Sequence, residues 1–299
     1  RGVERMHYVI GDIHGCYREM TDLIKKIESQ DYDAKYIFVG DFIDRGSDVD
    51  KVLEWCIANI TLDGKYQSVR GNHEQMALNW MEEWLTWWEV GGFHSTLLMP
   101  ESRYDFSKWM NAMGKLEPEK LMLYQDFFLN LPFDKKIQVD SVWGKNITYR
   151  VVHAGYCYDK VSVDEQHYIN LWERDYDKYE NIDEIVIHGH TPTLSRSVYG
   201  HSLNARPGLI SYLKNDINVD CGCVFHGKGY EKYPAMCGAI CLENLQEIYP
   251  YAIEKRFMEI ANCEKERNIQ QKYYEEYKNH YLMSECKEHI EMCEKLGKK

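Results

Sequence analysis

The segment Gly40-Asp41-Phe42-Ile43-Asp44-Arg45-Gly46 follows a short run of β-branched and aromatic residues, Tyr36-Ile37-Phe38-Val39. Such a run, closed by glycine, predicts a buried strand that ends in a loop. Ligands bind open α/β sheets at the carboxyl ends of the strands. The two carboxylates and the guanidinium of this loop are therefore candidates for a binding site.

Two segments of similar pattern flank this one, Tyr8-Val9-Ile10-Gly11-Asp12-Ile13-His14-Gly15 upstream and Ser68-Val69-Arg70-Gly71-Asn72-His73-Glu74 downstream. Asp12 and Asp41 are 29 residues apart, and Asp41 and Asn72 are 31 apart, close to the length of one βαβ unit. Three successive parallel strands would bring these side chains to one rim of a sheet. A turn glycine beside a capping Asp explains any single segment, but three in order at this spacing favour a functional site.

The side chains of these loops are metal-ligand types, because carboxylate oxygens, amide oxygens and imidazole nitrogens bind hard and borderline cations. The motifs GDIHG, GDFIDRG and GNHE, in that order, resemble those of the binuclear metallophosphoesterases. The resemblance is strongest to their serine/threonine protein phosphatase branch, of the small bacterial and phage type. It covers roughly residues 6–245 and implies an α/β, calcineurin-like fold, a β-sandwich of two mixed sheets flanked by helices.

The resemblance also implies a centre of two divalent metal ions, manganese being favoured and iron or zinc the alternatives. One ion would be held by Asp12, His14 and Asp41, and the other by Asp41, Asn72, His153 and His190. The neighbouring His188 would point to the opposite face of an extended segment, which favours a core or supporting role over ligation.

Phosphate binding and proton transfer are likewise implied by the resemblance. Arg45 and Asn72 would bind the phosphate, with Arg174 of Leu171-Trp172-Glu173-Arg174 as a second arginine. The motif at Arg174 is looser, and the alternative there is a surface charge on a helix. His73 would be the general acid for the leaving oxygen, with Asp44 holding its other ring nitrogen.

The mechanism implied is direct, in-line attack on phosphorus by a hydroxide that bridges the two ions, without a phosphoenzyme. No cysteine or serine stands out as a nucleophile. Glu74 belongs to the motif, but a structural role is favoured for it.

Three functions are open to a chain with these motifs. The first is hydrolysis of phosphoserine and phosphothreonine in phosphoproteins. The second is a bis(5'-nucleosyl)-tetraphosphatase or a broad-specificity nucleotide phosphohydrolase. Asp44 and Glu74 favour the first, because the symmetrical tetraphosphatases tend to replace both positions. The third, a catalytically inactive binding module, is disfavoured by the complete ligand set.

Composition indicates a globular protein, with 44% hydrophobic and 28% charged residues. The net charge is −12, and all of the excess lies in residues 1–253, so binding to extended nucleic acid is disfavoured. No apolar run reaches the roughly 18 residues that a membrane-spanning helix needs, so no membrane partner is expected. Residues 1–5 are interpreted as a leader or remnant before Met6.

Ten cysteines without a signal segment predict reduced thiols and a cytoplasmic location. The alternative for Cys221-x-Cys223 with Cys237-x3-Cys241 is a zinc cluster, although the spacing is unusual. Buried small apolar residues are the favoured interpretation.

Periodicity predicts the remaining organisation. The catalytic domain covers residues 6–248, with a helical insertion at about 75–136, and a C-terminal helical extension covers residues 251–299. Trp80, Trp84 and Trp87 in the insertion form either a core stripe or a wall of the substrate cleft. The extension would pack against the domain or serve in dimerisation or partner docking; the sequence leaves the oligomeric state open. Strands are expected at 6–10, 36–39, 66–70, 137–143, 147–152, 185–187, 217–220 and 239–242.

Overall fold

Two five-stranded sheets form the centre of the molecule in the computed structural model. The model describes residues 5–89, 116, 118–140, 146–174, 184–195, 206–213 and 216–282. The first sheet has the order β10-β9-β1-β2-β3 and comprises β1 (His7–Ile10), β2 (Lys35–Phe38), β3 (Tyr66–Ser68), β9 (Ala239–Cys241) and β10 (Glu247–Ile248). The second has the order β4-β5-β6-β8-β7 and comprises β4 (Asp134–Asp140), β5 (Asn146–Val152), β6 (Glu184–His188), β7 (Ser211–Leu213) and β8 (Asp216–Asn218).

Each sheet combines parallel and antiparallel pairs. In the first, β1, β2 and β3 run parallel, and β9 runs antiparallel to β1. In the second, β5, β6 and β8 run parallel, and β4 and β7 close the edges in the antiparallel sense. The predicted arrangement of two mixed sheets is confirmed.

The two faces of the first sheet enter different cores because successive side chains of a strand point to opposite sides. Val9 and Ile37 face the second sheet and share one cluster with Val151 and Ile187. Tyr8, Ile10, Tyr36 and Phe38 face the helices. Burial on both faces explains why these strands are continuous apolar runs rather than alternating ones.

The described helices are α1 (Tyr17–Glu28), α2 (Val49–Asn59), α3 (Asn72–Glu89), α4 (Pro118–Leu129), α5 (Val163–Trp172), α6 (Ile253–Met258) and α7 (Glu264–Tyr277), which continues as a π-helical turn at Lys278–Leu282. The residues Met20, Leu23, Ile24 and Ile27 recur at helical spacing in the sequence, and they form the buried face of α1. Asp48 occupies the N-cap position of α2, as the sequence before this helix predicts, although its side chain makes no capping hydrogen bond. Its carboxylate instead accepts from Lys51, at 2.5 Å.

The predicted insertion is described only at its ends, by α3 and α4. Trp80 is buried in the cluster between the first sheet and its helices, which supports the core interpretation at this position. The side chains of Trp84 and Trp87 lie outside the described residues. Strand β4 begins at Asp134, three residues earlier than expected, and β7 and β10 are short strands that the sequence analysis missed.

The described part of the C-terminal extension packs against the body of the protein. Phe257 and Tyr277 share a buried cluster with Leu209 and Met236. The apolar stripes on either side of residues 264–271 predict one long or two shorter helices, and the structure has two, with residues 264–271 in the first part of α7 and a break at residues 259–263. Within the described ranges, no helix combines the length and apolar character that crossing a bilayer requires.

Candidate metal centre

The loops at the carboxyl ends of the strands hold an unusual backbone conformation. Of the seven non-glycine residues with positive φ among those described, five are predicted site residues, namely His14, Asp41, Asp44, Arg45 and His190. The left-handed region costs a non-glycine residue on the order of 1–3 kcal/mol, and such strain concentrates at functional sites. These loops are therefore held in place by the fold rather than by local preference.

Glycine is required where the loops meet. A Cβ atom at Gly46 would lie 2.0 Å from the carbonyl oxygen of His14, and one at Gly71 would lie 2.2 Å from Oδ1 of Asp41. Any larger residue at either position would push the loops apart. The glycines of the motifs thus permit the close approach that assembles the site.

Asp41 lies at the junction of two groups of potential ligands. Its Oδ2 is 3.4 Å from Nε2 of His14, and its Oδ1 is 3.4 Å from Nε2 of His153. The atoms of His14, Asp41 and His73 converge closely enough to hold one ion, and those of Asp41, His153 and His190 to hold another. All five side chains are buried. Asp41 is common to both groups, and its role as a shared metal ligand stays a prediction.

The second group is a set of converging acceptors. Oδ1 of Asn72 lies 2.8 Å from Nε2 of His153 and 2.9 Å from Nδ1 of His190. Nδ1 of His153 lies 2.8 Å from the carbonyl oxygen of Val39, so this nitrogen carries the ring proton and Nε2 presents a lone pair. Lone pairs that face one another repel unless a cation lies among them. The donor set therefore fits a divalent metal ion.

In the first group, too, a backbone carbonyl fixes which ring nitrogen of a histidine carries the proton. Nδ1 of His14 donates to the carbonyl oxygen of Ile43 at 2.7 Å, which leaves Nε2 as the ligand nitrogen. That Nε2 atom is buried and has no hydrogen-bond partner among the described residues. A buried polar atom without a partner is costly, so the site is suited to a ligand that completes it.

Asp12 is placed differently from the other predicted ligands. Its carboxylate accepts the backbone N–H of His190, at 3.2 and 3.3 Å. The group around His14 and Asp41 is completed by His73, and Asp12 belongs to neither group. Asp12 is buried at the same rim, so its role as a ligand stays a prediction.

Burial sets the charges of this site. It lowers the pKa of His14 and His153, and it lowers the pKa of His190 to about 2, so the three imidazoles are neutral and able to bind metal. Burial by itself would raise the pKa of Asp41, but the charge of His73 and the hydrogen bond from its backbone N–H oppose this, and the pKa lies well below its ordinary value overall. The shared carboxylate is therefore ionised.

Asp220 is a buried carboxylate that the sequence analysis did not assign to the site. Burial raises its pKa to about 7, and its charge in turn helps to raise the pKa of Asp12. Its Oδ1 accepts the N–H of Gly222 at 2.9 Å. The available signal was an acid close to a glycine at the end of a strand, although Gly222 follows Asp220 whereas Gly11 and Gly40 precede Asp12 and Asp41.

His73 lies between an acid and a base. Its Nδ1 is 2.6 Å from Oδ2 of Asp44, and Nη2 of Arg45 donates to its Nε2 at 3.1 Å. Burial lowers the pKa of His73, but the charges of Asp41 and Asp44 outweigh this and raise it overall. Imidazole, carboxylate and guanidinium are thus brought together beside Asp41.

Glu74 ties two of the loops together. Its carboxylate accepts the backbone N–H groups of Asp41 and Phe42 at 2.9 Å and of Gly71 at 3.0 Å. These bonds fix the loop after β2 against the loop after β3. The structural role expected for Glu74 agrees with this arrangement.

The remaining predicted residues lie at the edge of the site or behind it. Arg174 is exposed, and its Nη1 donates to Oγ1 of Thr191 at 2.7 Å, one residue from His190. His188 is fully buried in β6 and belongs to neither ligand group. The groups of potential ligands found among the described residues contain no cysteine, which gives the zinc-cluster alternative no support.

The fold is a two-sheet sandwich whose strand ends carry two groups of potential metal ligands. Residues 8–227 match the family model described as calcineurin-like phosphoesterase. The chain belongs to this family.

Named relatives fall into two functional groups. The chain is 24% identical over 244 residues to the asymmetrical bis(5'-nucleosyl)-tetraphosphatase PrpE of Oceanobacillus iheyensis, covering 74% of this chain and 85% of that protein. It is 38% identical over 72 residues to serine/threonine-protein phosphatase 1 of Salmonella typhimurium, covering 24% of this chain and 31% of that protein. A solved structure of a protein assigned as a diadenosine tetraphosphatase aligns with a TM-score of 0.50 at 16% identity, covering 84% of this chain and 96% of that one. This last likeness shows the fold alone.

Proposed function

We propose that this protein hydrolyses phosphomonoesters in a metal-dependent reaction, with phosphoserine and phosphothreonine side chains as the first substrate class. The observation that carries the proposal is the His73–Asp44 pair, 2.6 Å apart, directly beside the shared Asp41. Ester oxygens of serine and threonine leave as strongly basic alkoxides, so their departure gains most from a positioned acid.

The residues that would hold the metal ions are members of the two ligand groups together with Asp12 and Asn72, whereas His73 of the first group is assigned to proton transfer. Asp12, His14 and Asp41 would hold one ion, and Asp41, Asn72, His153 and His190 the other. Two divalent cations, when bound, would lower the pKa of a water molecule and neutralise charge on the phosphoryl oxygens.

The protein's own residues supply orientation and the proton. Arg45 would direct its N–H groups to the phosphate, and Arg174 would approach from the side of Thr191. Once Arg45 turns its N–H groups from Nε2 of His73 to the phosphate, that nitrogen can carry a proton, and His73 would pass it to the leaving oxygen as the P–O bond breaks. Asp44 would hold Nδ1–H, which keeps the ring oriented and stabilises its charged form.

A second candidate activity is hydrolysis of dinucleoside tetraphosphates. It is favoured by the relative matched over most of its length, which carries that name. The leaving group of a phosphoanhydride is a phosphate of low basicity and needs little protonation. The close His73–Asp44 pair therefore supports the ester substrate, whereas the long alignment supports the nucleotide.

The deciding experiment compares the two substrates on one preparation. Purified protein with Mn²⁺ is assayed with a phosphoserine and phosphothreonine peptide panel and with diadenosine tetraphosphate, and Asp41→Asn serves as the inactive control. A higher kcat/KM for the peptides supports the proposal. Turnover of the nucleotide with none of the peptides would overturn it.

A further inference from the structure

A short turn after β8 approaches the candidate site from the second sheet. Residues Cys223–Phe225 form a 3₁₀ turn that begins at Gly222, whose φ of 69° is in the left-handed region. Sγ of Cys223 donates to the carbonyl oxygen of Asp12 at 3.4 Å. The turn is thus fastened to the loop that carries Asp12 and His14.

The aromatic ring at the end of this turn contacts Arg45. The guanidinium carbon of Arg45 lies 5.6 Å from the ring centroid of Phe225, within the range of a cation–π contact. The ring of Phe225 in turn packs on Tyr230, with centroids 5.6 Å apart. Phe225 is half-buried, whereas Arg45 is exposed.

An exposed arginine is a poor phosphate ligand unless something holds it in place. Its long side chain loses much rotamer freedom when it binds an anion. A phenyl ring accepts no conventional hydrogen bond, so it can hold the cation without occupying the N–H groups that a phosphate needs. The contact of Arg45 with His73 differs from its contact with Phe225, because the contact with His73 uses Nη2 of Arg45 as a hydrogen-bond donor.

We propose that Phe225 is a positioning residue, which holds the guanidinium of Arg45 at the metal centre and thereby sets the affinity for the phosphate group. The proposal rests on the proposed function, since it takes Arg45 as the residue that binds phosphate. Phe225 itself contacts no reacting atom. Its effect on the reaction passes through Arg45.

The test uses two substitutions at Phe225 and one background change. Phe225→Leu keeps an apolar side chain but removes the π face, and Phe225→Trp keeps an aromatic face. Both variants are compared with wild type in the full-length chain. Each is also made in the Arg45→Ala background, where kcat/KM on nitrophenyl phosphate is measured. Thermal unfolding and metal content are measured for each variant, so that a misfolded protein is recognised.

Phe225→Leu should weaken binding of inorganic phosphate to the Mn²⁺-loaded protein, measured by calorimetry, by about two- to fivefold, the equivalent of an exposed cation–π contact. Phe225→Trp should bind inorganic phosphate with the same affinity as wild type. In turnover, Phe225→Leu should raise KM more than it lowers kcat, and it should have no effect in the Arg45→Ala background.

Two results would overturn the proposal. The first is that Phe225→Leu binds phosphate with the same affinity as wild type. The second is that Phe225→Leu lowers kcat/KM by the same factor in the wild-type and the Arg45→Ala backgrounds. These two results can be told apart from a failure of the proposed function. In that case the wild-type protein would bind phosphate but hydrolyse no phosphate ester. The calorimetric comparison of Phe225 variants still decides the positioning role in that case.

Discussion

Nδ1 of His73 lies 2.6 Å from Oδ2 of Asp44, although the two residues are 29 positions apart in the chain. They follow neighbouring parallel strands, β2 and β3, whose carboxyl ends meet at one edge of the sheet. The backbone N–H of His73 also donates to Oδ1 of Asp41 at 3.0 Å. The proposed acid and the proposed shared metal ligand are therefore fixed against one another.

The acid role of His73 predicts a dependence on the leaving group. His73→Ala should lose about 10²–10⁴-fold more rate on a phosphoserine peptide than on nitrophenyl phosphate, because nitrophenolate leaves with little help. Asp44→Asn should show the same pattern more weakly, since it disturbs the imidazole rather than removing it. Steady-state kinetics on both substrates, with metal content verified, make the measurement. Equal losses would assign His73 to phosphate binding.

The position of Asp41 predicts that metal and activity are lost together. Asp41→Asn should bind fewer ions and lose turnover, because Asp41 takes part in both ligand groups. Arg45→Ala is the matched control, which should lose most of its turnover, with a measurable residue, but keep both ions. Elemental analysis of dialysed protein makes the comparison. Two ions per chain in Asp41→Asn would contradict the sharing of this carboxylate.

The thiol chemistry predicts that all ten cysteines are reduced. Eight of them are free in the structure, and the other two, Cys286 and Cys293, lie outside the described residues. Titration of denatured, unreduced protein with a thiol reagent should count ten groups. A count of eight would place a disulfide between Cys286 and Cys293 or a modification at both.

The packing of the C-terminal helices predicts a stability effect without a catalytic one. Phe257→Ala should lower the free energy of unfolding by about 3–5 kcal/mol, because it empties a fully buried site. Turnover per folded molecule should not change. The control is Ile269→Ala, at a side chain that is 40% exposed, where the change should stay within about 0.5 kcal/mol. Denaturant unfolding measures both, and similar effects would mean that Phe257 is not packed as described.

The ion pairs of β6 predict a pH dependence of stability. Burial by itself raises the pKa of Glu184, but hydrogen bonds from Arg150 and Lys136 outweigh it and lower the pKa below 4.5 overall. A carboxylate with a lowered folded-state pKa stabilises the protein above its unfolded pKa, and the contribution disappears as pH falls through the folded pKa. Glu184→Gln should therefore lower the free energy of unfolding by about 1–3 kcal/mol at pH 7, and by progressively less at acid pH.

Denaturant unfolding of Glu184→Gln and wild type across pH 3–7 measures this difference. The exposed Glu119→Gln is the matched control and should show little change at any pH. A loss in Glu184→Gln that is constant with pH would mean that the charge of Glu184 does not support the fold.

Much of the site was predictable because its signals are local. Each of the motifs around Asp12, Asp41 and Asn72 combines an apolar strand, a glycine and a polar ligand type within a few residues. The strand spacing then predicts a common rim, because parallel strands joined by helices bring their carboxyl ends together. The two-sheet class followed from the resemblance of these motifs, and the structure confirms it.

Other features could not be predicted because they depend on contacts between distant segments. No local pattern indicates that the turn ending at Phe225 reaches Arg45, or whether the C-terminal extension forms one helix or two. The short strands β7 and β10 have little periodicity, and their pairing partners stabilise them.

The sequence by itself determined which chemistry is available, since ligand types, glycines and their spacing are properties of the chain. The tertiary structure alone decided which side chains converge: it grouped His73 with His14 and Asp41 and turned Asp12 toward the backbone of His190. The physical reason is that a side chain's direction at the end of a strand depends on loop dihedrals. Five of the predicted site residues adopt positive φ, namely His14, Asp41, Asp44, Arg45 and His190. Local preference disfavours this conformation, and only packing of the whole fold maintains it.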